Sequence, residues 1–353
     1  MIAAAMPSPR RADARLLVVS EDGSLAHALR SSLTDHLKPR DLVIANDAAT
    51  LPASLHGIHL PSAAPIEVRL AGRSSLAHDD VRFTAVVFGA GDWRTRTEDR
   101  RPPPPLAQGD RLALGPLVAK VEHMQRHERL VVLKFDGPVD GVWAGIARHG
   151  RPIQYAYLAR ALALWDVWTP VAAVPVAFEA PSAGFALDWS VLRTLRARGV
   201  EFATITLAAG IASTGDPVLD LRLPFDEPYR VTASTASAIR RARAQGGRII
   251  AIGTTVVRAL EHSGGHAGEA VADTRIGAGT QLRAVDALLS GTHEPNESHY
   301  QVLRAFQKDD VLARATAALE ASSYRTHEFG DSVLIFLRQA RVVKTELESA
   351  TLA

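Results

Sequence analysis

Cysteine is absent from the 353 residues, which excludes disulfides, thiolate nucleophiles and every zinc or iron–sulfur site built on sulfur. That suits a reducing compartment, and a cytoplasmic protein is expected. No apolar run approaches the roughly 20 residues that span a bilayer, so no membrane segment is expected. The opening MIAAAMPSPRRADAR has adjacent arginines but lacks the apolar stretch of a signal peptide, and it reads as a loose tail. Charge of one sign is not in excess. Forty Lys and Arg against 38 Asp and Glu leave a net +2, too little for a broad electrostatic footprint on nucleic acid. The arginine groups Arg94, Arg96, Arg100, Arg101 and Arg240, Arg241, Arg243 read as solvated faces. Internal repeats are lacking too. No glycine-rich nucleotide fingerprint occurs, since SGGHAGE from Ser263 has neither the strand before it nor the helix after it.

What is present is a globular balance, 47% hydrophobic and 22% charged, in a chain long enough for two domains. ARLLVVS (14–20) and DLVIAND (41–47) read as buried strands, with an apolar-striped helix predicted over 24–37 between them. From residue 58 to about 145 the texture changes. IEVRLAG, RFTAVVFG, DRLALG, AKVEHM and RLVVLKFDG alternate with period two between turn residues, which predicts a small all-β barrel or sandwich. The run Pro102–Pro105 suits only a surface connector. After residue 150 strands and helices alternate again: strands over 171–178 and 202–210, a capped helix over 232–245, RIIAIGTT running into VVRALEH, helices near 298–307 and 311–321, and a last strand in SVLIFLR. The expected fold class is α/β: a discontinuous α/β domain (1–57 and 146–353) carrying an inserted β-barrel-like domain (58–145).

Three segments carry possible chemistry. Gly253-Thr254-Thr255 sits where a buried strand becomes a helix, offering free N–H groups and the positive dipole end to a ligand; an ordinary capped helix start is the alternative. Three residues apart on that helix, Arg258 and Glu261 read as a surface pair. Ala180-Pro181-Ser182-Ala183-Gly184 contains only small side chains, so backbone can approach a flat ligand closely; it is otherwise a structural loop. THEPNESH (292–299) gathers two histidines and two glutamates, suiting an acid/base pair or a polar loop. Without HExxH spacing or cysteine, no metal is expected there. His123 and His127 are expected to be exposed.

Taken in order, ARLLVVSEDGSLAHALRSSL, LKPRDLVIANDAATLPASLHG, APSAG, ATITLAAGIASTGDPV, RIIAIGTTVVRALE, AVDALLSGTHEP and YRTHEFGDSVLI resemble blocks of the S-adenosylmethionine:tRNA ribosyltransferase-isomerase family of queuosine biosynthesis. The likeness spans residues 14–337, and GTTxVRxLE is its most specific element. The resemblance implies an α/β domain interrupted by a β-barrel. It also implies that the ribosyl group of S-adenosylmethionine is transferred and isomerised onto a 7-aminomethyl-7-deazaguanine in tRNA, releasing adenine and methionine. S-adenosylmethionine is then a substrate, and no metal or further cofactor is implied.

Such chemistry needs a base for the proton beside the sulfonium, together with charge-stabilising donors and orientation. Asp47, Glu227 and His293 are the candidate bases, although Asp47 also suits a turn cap. Substrate contacts are implied at Asn46, Pro181, Ser182, Ala183, Gly184, Thr214, Gly253, Thr254, Thr255, Arg258, Arg325 and Asp331. Arg258 and Arg325 are placed to orient a carboxylate or phosphate, and Asp331 is equally open to a turn role. Departures from the family pattern fall at polar positions. Ala186 replaces a histidine, Pro224-Phe225-Asp226-Glu227 stands for a His-rich block, and Ala49 replaces an arginine. They imply altered acceptor contacts, so a small-molecule acceptor, or a non-catalytic ligand-binding protein of the same fold, is the alternative.

Overall fold

The computed structural model describes residues 1–7, 11–295 and 297–338. A nine-stranded mixed sheet runs in the order Gly268–Ala272, Glu227–Val231, Glu201–Leu207, Leu42–Asn46, Ile249–Ile252, Ala287–Gly291, Ser332–Phe336, Arg15–Val19, Leu25–Leu29. The four strands from Glu201–Leu207 to Ala287–Gly291 are mutually parallel, and antiparallel pairs extend the sheet on both sides. These central strands are apolar runs because both faces are covered. Leu42, Ile44, Ile249 and Ala251 point into one core with helices Ala233–Ala244 and Thr254–Ser263. Val43, Ala45, Ile250 and Ile252 face the other core, with Val191 and Leu195 of helix Trp189–Ala197. The helix starts are set locally: Asp188 accepts from Val191 N, and Thr232 from Thr235 N.

Between Leu42–Asn46 and Glu201–Leu207 the chain builds a closed antiparallel six-stranded barrel, from Ser54–His59 to Leu130–Phe135. Each of the five alternating segments contributes a strand. Gly57 permits closure, since a β-carbon there would lie 1.9 Å from Ala113 O. The barrel core does not end at the barrel. Phe178, Ile211, Leu219 and Leu223 pack into it, and Phe178 meets Phe83 edge-on at 6.1 Å.

Several expectations are corrected. The predicted helix over 24–37 is instead the edge strand Leu25–Leu29, paired antiparallel with Arg15–Val19, followed by the 3-10 helix Arg30–His36. The turn at Gly23, with φ +79°, directs the chain back along its neighbour, and sheet pairing overrides the helical stripe. The opening is not wholly loose: Ile2–Ala3 pairs with Arg325–Thr326 and Ala4 is buried, while residues 8–10 lie outside the described residues. The first barrel strand begins at Ser54, inside the segment assigned to the α/β part. The segment closing the all-β stretch is helix Val139–His149. Over 171–178 only Val174–Ala177 is a strand, and it pairs with Ala48–Thr50 outside the main sheet. Arg100 is not solvated; it is buried against Glu67, which Arg69 also holds at 2.8 Å. Burial opposes the Glu67 charge, but the two guanidiniums prevail and bring its pKa down to about 2. His127 is half-buried and lies 3.2 Å from Asp216.

Candidate active site

In open α/β sheets ligands bind beyond the carboxyl ends of the parallel strands. Here those ends carry Asn46-Asp47, the turn after Leu207, Gly253-Thr254-Thr255 and Thr292-His293. The 3-10 helix Ser182–Ala186, formed by the small-residue segment, abuts the Gly253 junction: a β-carbon at Gly253 would sit 3.5 Å from the Ala183 methyl. Gly253 has φ +97°, a conformation that favours glycine and lets the strand turn directly into its helix. Gly184 packs on Thr169, where a β-carbon would come within 3.0 Å of the threonine methyl. Thr169 Oγ1 and Thr255 Oγ1 are buried and find no partner among the described residues. Buried hydroxyls left this way at a strand–helix junction are suited to a ligand's polar atoms.

The chain beyond Leu207 is held by two carboxylates. Glu227 accepts from Gly210 N at 2.8 Å, and Glu179 from Ala212 N at 3.1 Å. Glu227 is buried and ion-paired with Arg258, whose Nη2 also donates to Ala272 O at 2.8 Å. Burial pushes the Glu227 carboxyl up, against the pull of the Arg258 guanidinium and the Gly210 N–H. Arg258 is therefore no surface partner of Glu261, which instead accepts the N–H groups of Arg283, Ala284 and Val285. Arg258 Nε is buried without a partner among the described residues.

Glu179 was not singled out by sequence. Its carboxylate accepts from the Tyr155 hydroxyl. Burial raises its pKa to about 7, opposed by the Tyr155 hydrogen bond and assisted by the nearby Glu328 charge. Tyr155 stacks on Tyr157 at 5.9 Å, and Tyr157 on His327 at 4.2 Å, while the Tyr157 hydroxyl donates to Glu328. Burial also raises Glu328. The available signal was QYAY: two of the chain's five tyrosines fall two residues apart.

His293 closes the group. Its Nδ1 is 3.0 Å from Glu297 Oε2, its Nε2 is 2.9 Å from Ser290 Oγ, and its ring stacks on His299 at 4.9 Å. Burial and the neighbouring His293 charge push His299 down to about 4, so it is neutral at physiological pH. Burial also opposes the Glu297 charge, but the hydrogen bond and the charge of His293 prevail and lower it.

The other sequence candidates are engaged in structure. Asn46 donates to Leu207 O and accepts from Leu207 N and Ala48 N, which locks two strands together. Asp47 accepts from the hydroxyls of Thr204 (2.8 Å) and Thr206 (2.7 Å). Thr214 is bonded to Asp220 through both its N–H and its hydroxyl. Asp331 is buried and accepts from the Arg15 side chain and from the Arg15 and Arg325 N–H groups. It therefore fastens the Arg15–Val19 edge. Arg325 lies beside it, 4.0 Å away. Pro181 and Thr254 are buried in the turn and helix start. A cleft of about 1190 Å³ opens at the amino ends of the parallel strands, around Ser20, Arg248 and Arg314, and contains none of these groups.

Comparison with known proteins agrees with the architecture. The family profile described as queuosine biosynthesis protein matches residues 1–335. The chain is 33% identical to the S-adenosylmethionine:tRNA ribosyltransferase-isomerase of Sorangium cellulosum, covering 94% of each. To the protein of that name from a Bradyrhizobium strain it is 32% identical, covering 93% of this chain and 92% of the relative. The crystal structure of S-adenosylmethionine tRNA ribosyltransferase from Thermotoga maritima matches 94% of this chain and 96% of its own with a TM-score of 0.50; at 24% identity, that likeness speaks for the fold. A match along nearly the whole length, carried by both profile and relatives, assigns the chain to the queuosine biosynthesis protein family.

Proposed function

We propose that this protein transfers and isomerises the ribosyl group of S-adenosylmethionine onto a 7-aminomethyl-7-deazaguanine in tRNA, releasing adenine and methionine. The observation that carries the reading is the near full-length match to relatives bearing that enzyme's name. The residues beyond the sheet suit a sulfonium nucleoside. Carboxylates and tyrosine faces attract a cation, and more strongly where water is excluded. Thr169 Oγ1, Thr255 Oγ1 and Arg258 Nε are among the buried polar atoms without a partner among the described residues, and they suit the nucleoside's hydroxyls and ring nitrogens.

The positive sulfur acidifies the adjacent ribose carbon. A base takes that proton, the ring opens, and adenine departs with the electron pair of its glycosidic bond. The acceptor amine then adds to the anomeric carbon and yields its proton to the departing adenine. The deprotonated carbon beside sulfur bonds to the anomeric carbon to close the carbocycle, and the freed ring oxygen displaces methionine as the epoxide closes. We assign the base to Glu179. A carboxyl with a pKa of about 7 is matched to proton abstraction at neutral pH. Asp47 has both oxygens engaged by threonines, Glu227 is paired with Arg258, and His293 is bonded at both ring nitrogens. Incubating the protein with S-adenosylmethionine and tRNA bearing the aminomethyl base should release adenine and methionine in equal amounts and add the epoxycyclopentane mass to the tRNA. Release without a mass gain on tRNA would point to another acceptor. Absence of both products from folded protein would defeat the reading.

A further inference from the structure

His293, Glu297 and His299 stand close together because of how one segment folds. Beyond the Ala287–Gly291 strand the chain turns and enters the Ser298–Phe306 helix with Glu297 at its N-cap. One donor atom from each of the three side chains falls within 4.8 Å of the others, and all three residues are half-buried. Glu297 Oε2 lies 3.0 Å from His293 Nδ1, and the imidazoles stack with an interplanar angle of 15°. A carboxylate oxygen and an imidazole lone pair repel at that distance unless a proton or a metal ion stands between them. Ser290 Oγ, 2.9 Å from His293 Nε2, supplies an outer contact for a ligating histidine: in the tautomer that carries its proton on Nε2, the hydroxyl oxygen accepts it and the Nδ1 lone pair is left for a ligand.

We propose that His293, Glu297 and His299 bind one divalent cation of the zinc class, leaving a coordination position for water or a substrate oxygen. Two imidazoles and one carboxylate are the donor set of open zinc sites. Magnesium and calcium, which require oxygen ligands, do not suit it. Tetrahedral bonds of about 2.0–2.2 Å set donors about 3.4 Å apart, so binding requires the donor atoms to draw in by about 1 Å and the stacked rings to turn out of parallel, so that both in-plane lone pairs meet one ion. The site does not depend on the reaction proposed above. When metal is bound, His293 is a ligand and not a base.

Tag-free protein, stripped with a chelator and shown by circular dichroism to remain folded, is titrated with Zn²⁺, Co²⁺ and Mg²⁺ by calorimetry and visible absorption. One equivalent of Zn²⁺ or Co²⁺ is expected to bind, with the intense bands of four-coordinate cobalt, and Mg²⁺ is expected not to compete. His299→Ala and Glu297→Gln should each weaken binding about 100-fold or more, and Ser290→Ala about 10-fold. Failure of the folded wild type to take up an equivalent would overturn the proposal, as would uptake unchanged in His299→Ala. Because the readout is metal binding, its failure is distinct from failure of the ribosyl transfer reading.

Discussion

Glu179 shows how one side chain acquires reactivity from its surroundings. Burial raises its carboxyl from the ordinary 4.5 to about 7, while the unfolded chain keeps the ordinary value. Protonation therefore favours the folded state. The stabilisation is complete below about pH 4.5 and is lost as pH rises through about 7, a change of about 3 kcal/mol. Glu179→Gln, which cannot ionise, should remove that part of the decline, so the difference in melting midpoint between variant and wild type should widen in the variant's favour from pH 5 to pH 8. A constant difference across that range would contradict the raised value. If Glu179 is the base, turnover of the wild type rises with pH through about 7, and Glu179→Gln loses about 10²–10⁴-fold. Glu179 escaped sequence reading because a lone glutamate beside Ala180 carries no pattern. Its raised carboxyl comes from burial first, with the Glu328 charge assisting and the Tyr155 hydrogen bond opposing, and these surroundings are supplied by segments distant along the chain.

Helix Thr254–Ser263 illustrates the element scale. The sequence pattern correctly placed a helix after a buried strand, with glycine at the junction. Which face was buried was not legible. Arg258 and Glu261 are three apart and look like a surface pair, yet the helix lies back across the sheet and sends Arg258 to the Glu227–Val231 strand. Replacing Arg258 with Met leaves the Glu227 charge buried and unpaired, a loss of about 3–5 kcal/mol. Combining Arg258→Met with Glu227→Gln should recover part of that loss. A double-mutant cycle by urea denaturation should show coupling above about 1 kcal/mol; additive effects would mean the pair is not coupled. The strand Leu25–Leu29 teaches the converse lesson. Its apolar spacing fits a helix, but the hairpin turn at Gly23 and the open edge of Arg15–Val19 decide otherwise.

At the scale of the whole molecule, barrel and sheet share apolar packing. Phe178, Ile211, Leu219 and Leu223, all from outside the barrel strands, fill its core, and Glu67 with its arginines is buried within the same region. Excising the barrel would expose those contacts. The intact chain is therefore expected to melt in one calorimetric transition, with the calorimetric and van't Hoff enthalpies equal. Two resolved transitions would show that the barrel is stabilised independently. The two-texture pattern of the sequence revealed that two kinds of architecture were present, but not that their cores are continuous, because such contacts have no period along the chain.

Local information settled what local physics controls. Apolar runs bounded by turn residues marked the central strands, period-two alternation marked the barrel, capping residues marked the helix starts, and the order of motif blocks pointed to the family. Long-range pairing decided the rest. Asn46, Thr214 and Asp331 make bracing hydrogen bonds, Arg258 lies in the interior against Glu227, Tyr155 and Glu328 come together with Glu179, and His299 stacks on His293. Burial and charge proximity shift a group's chemistry only once distant segments have met, and a linear pattern does not record that meeting.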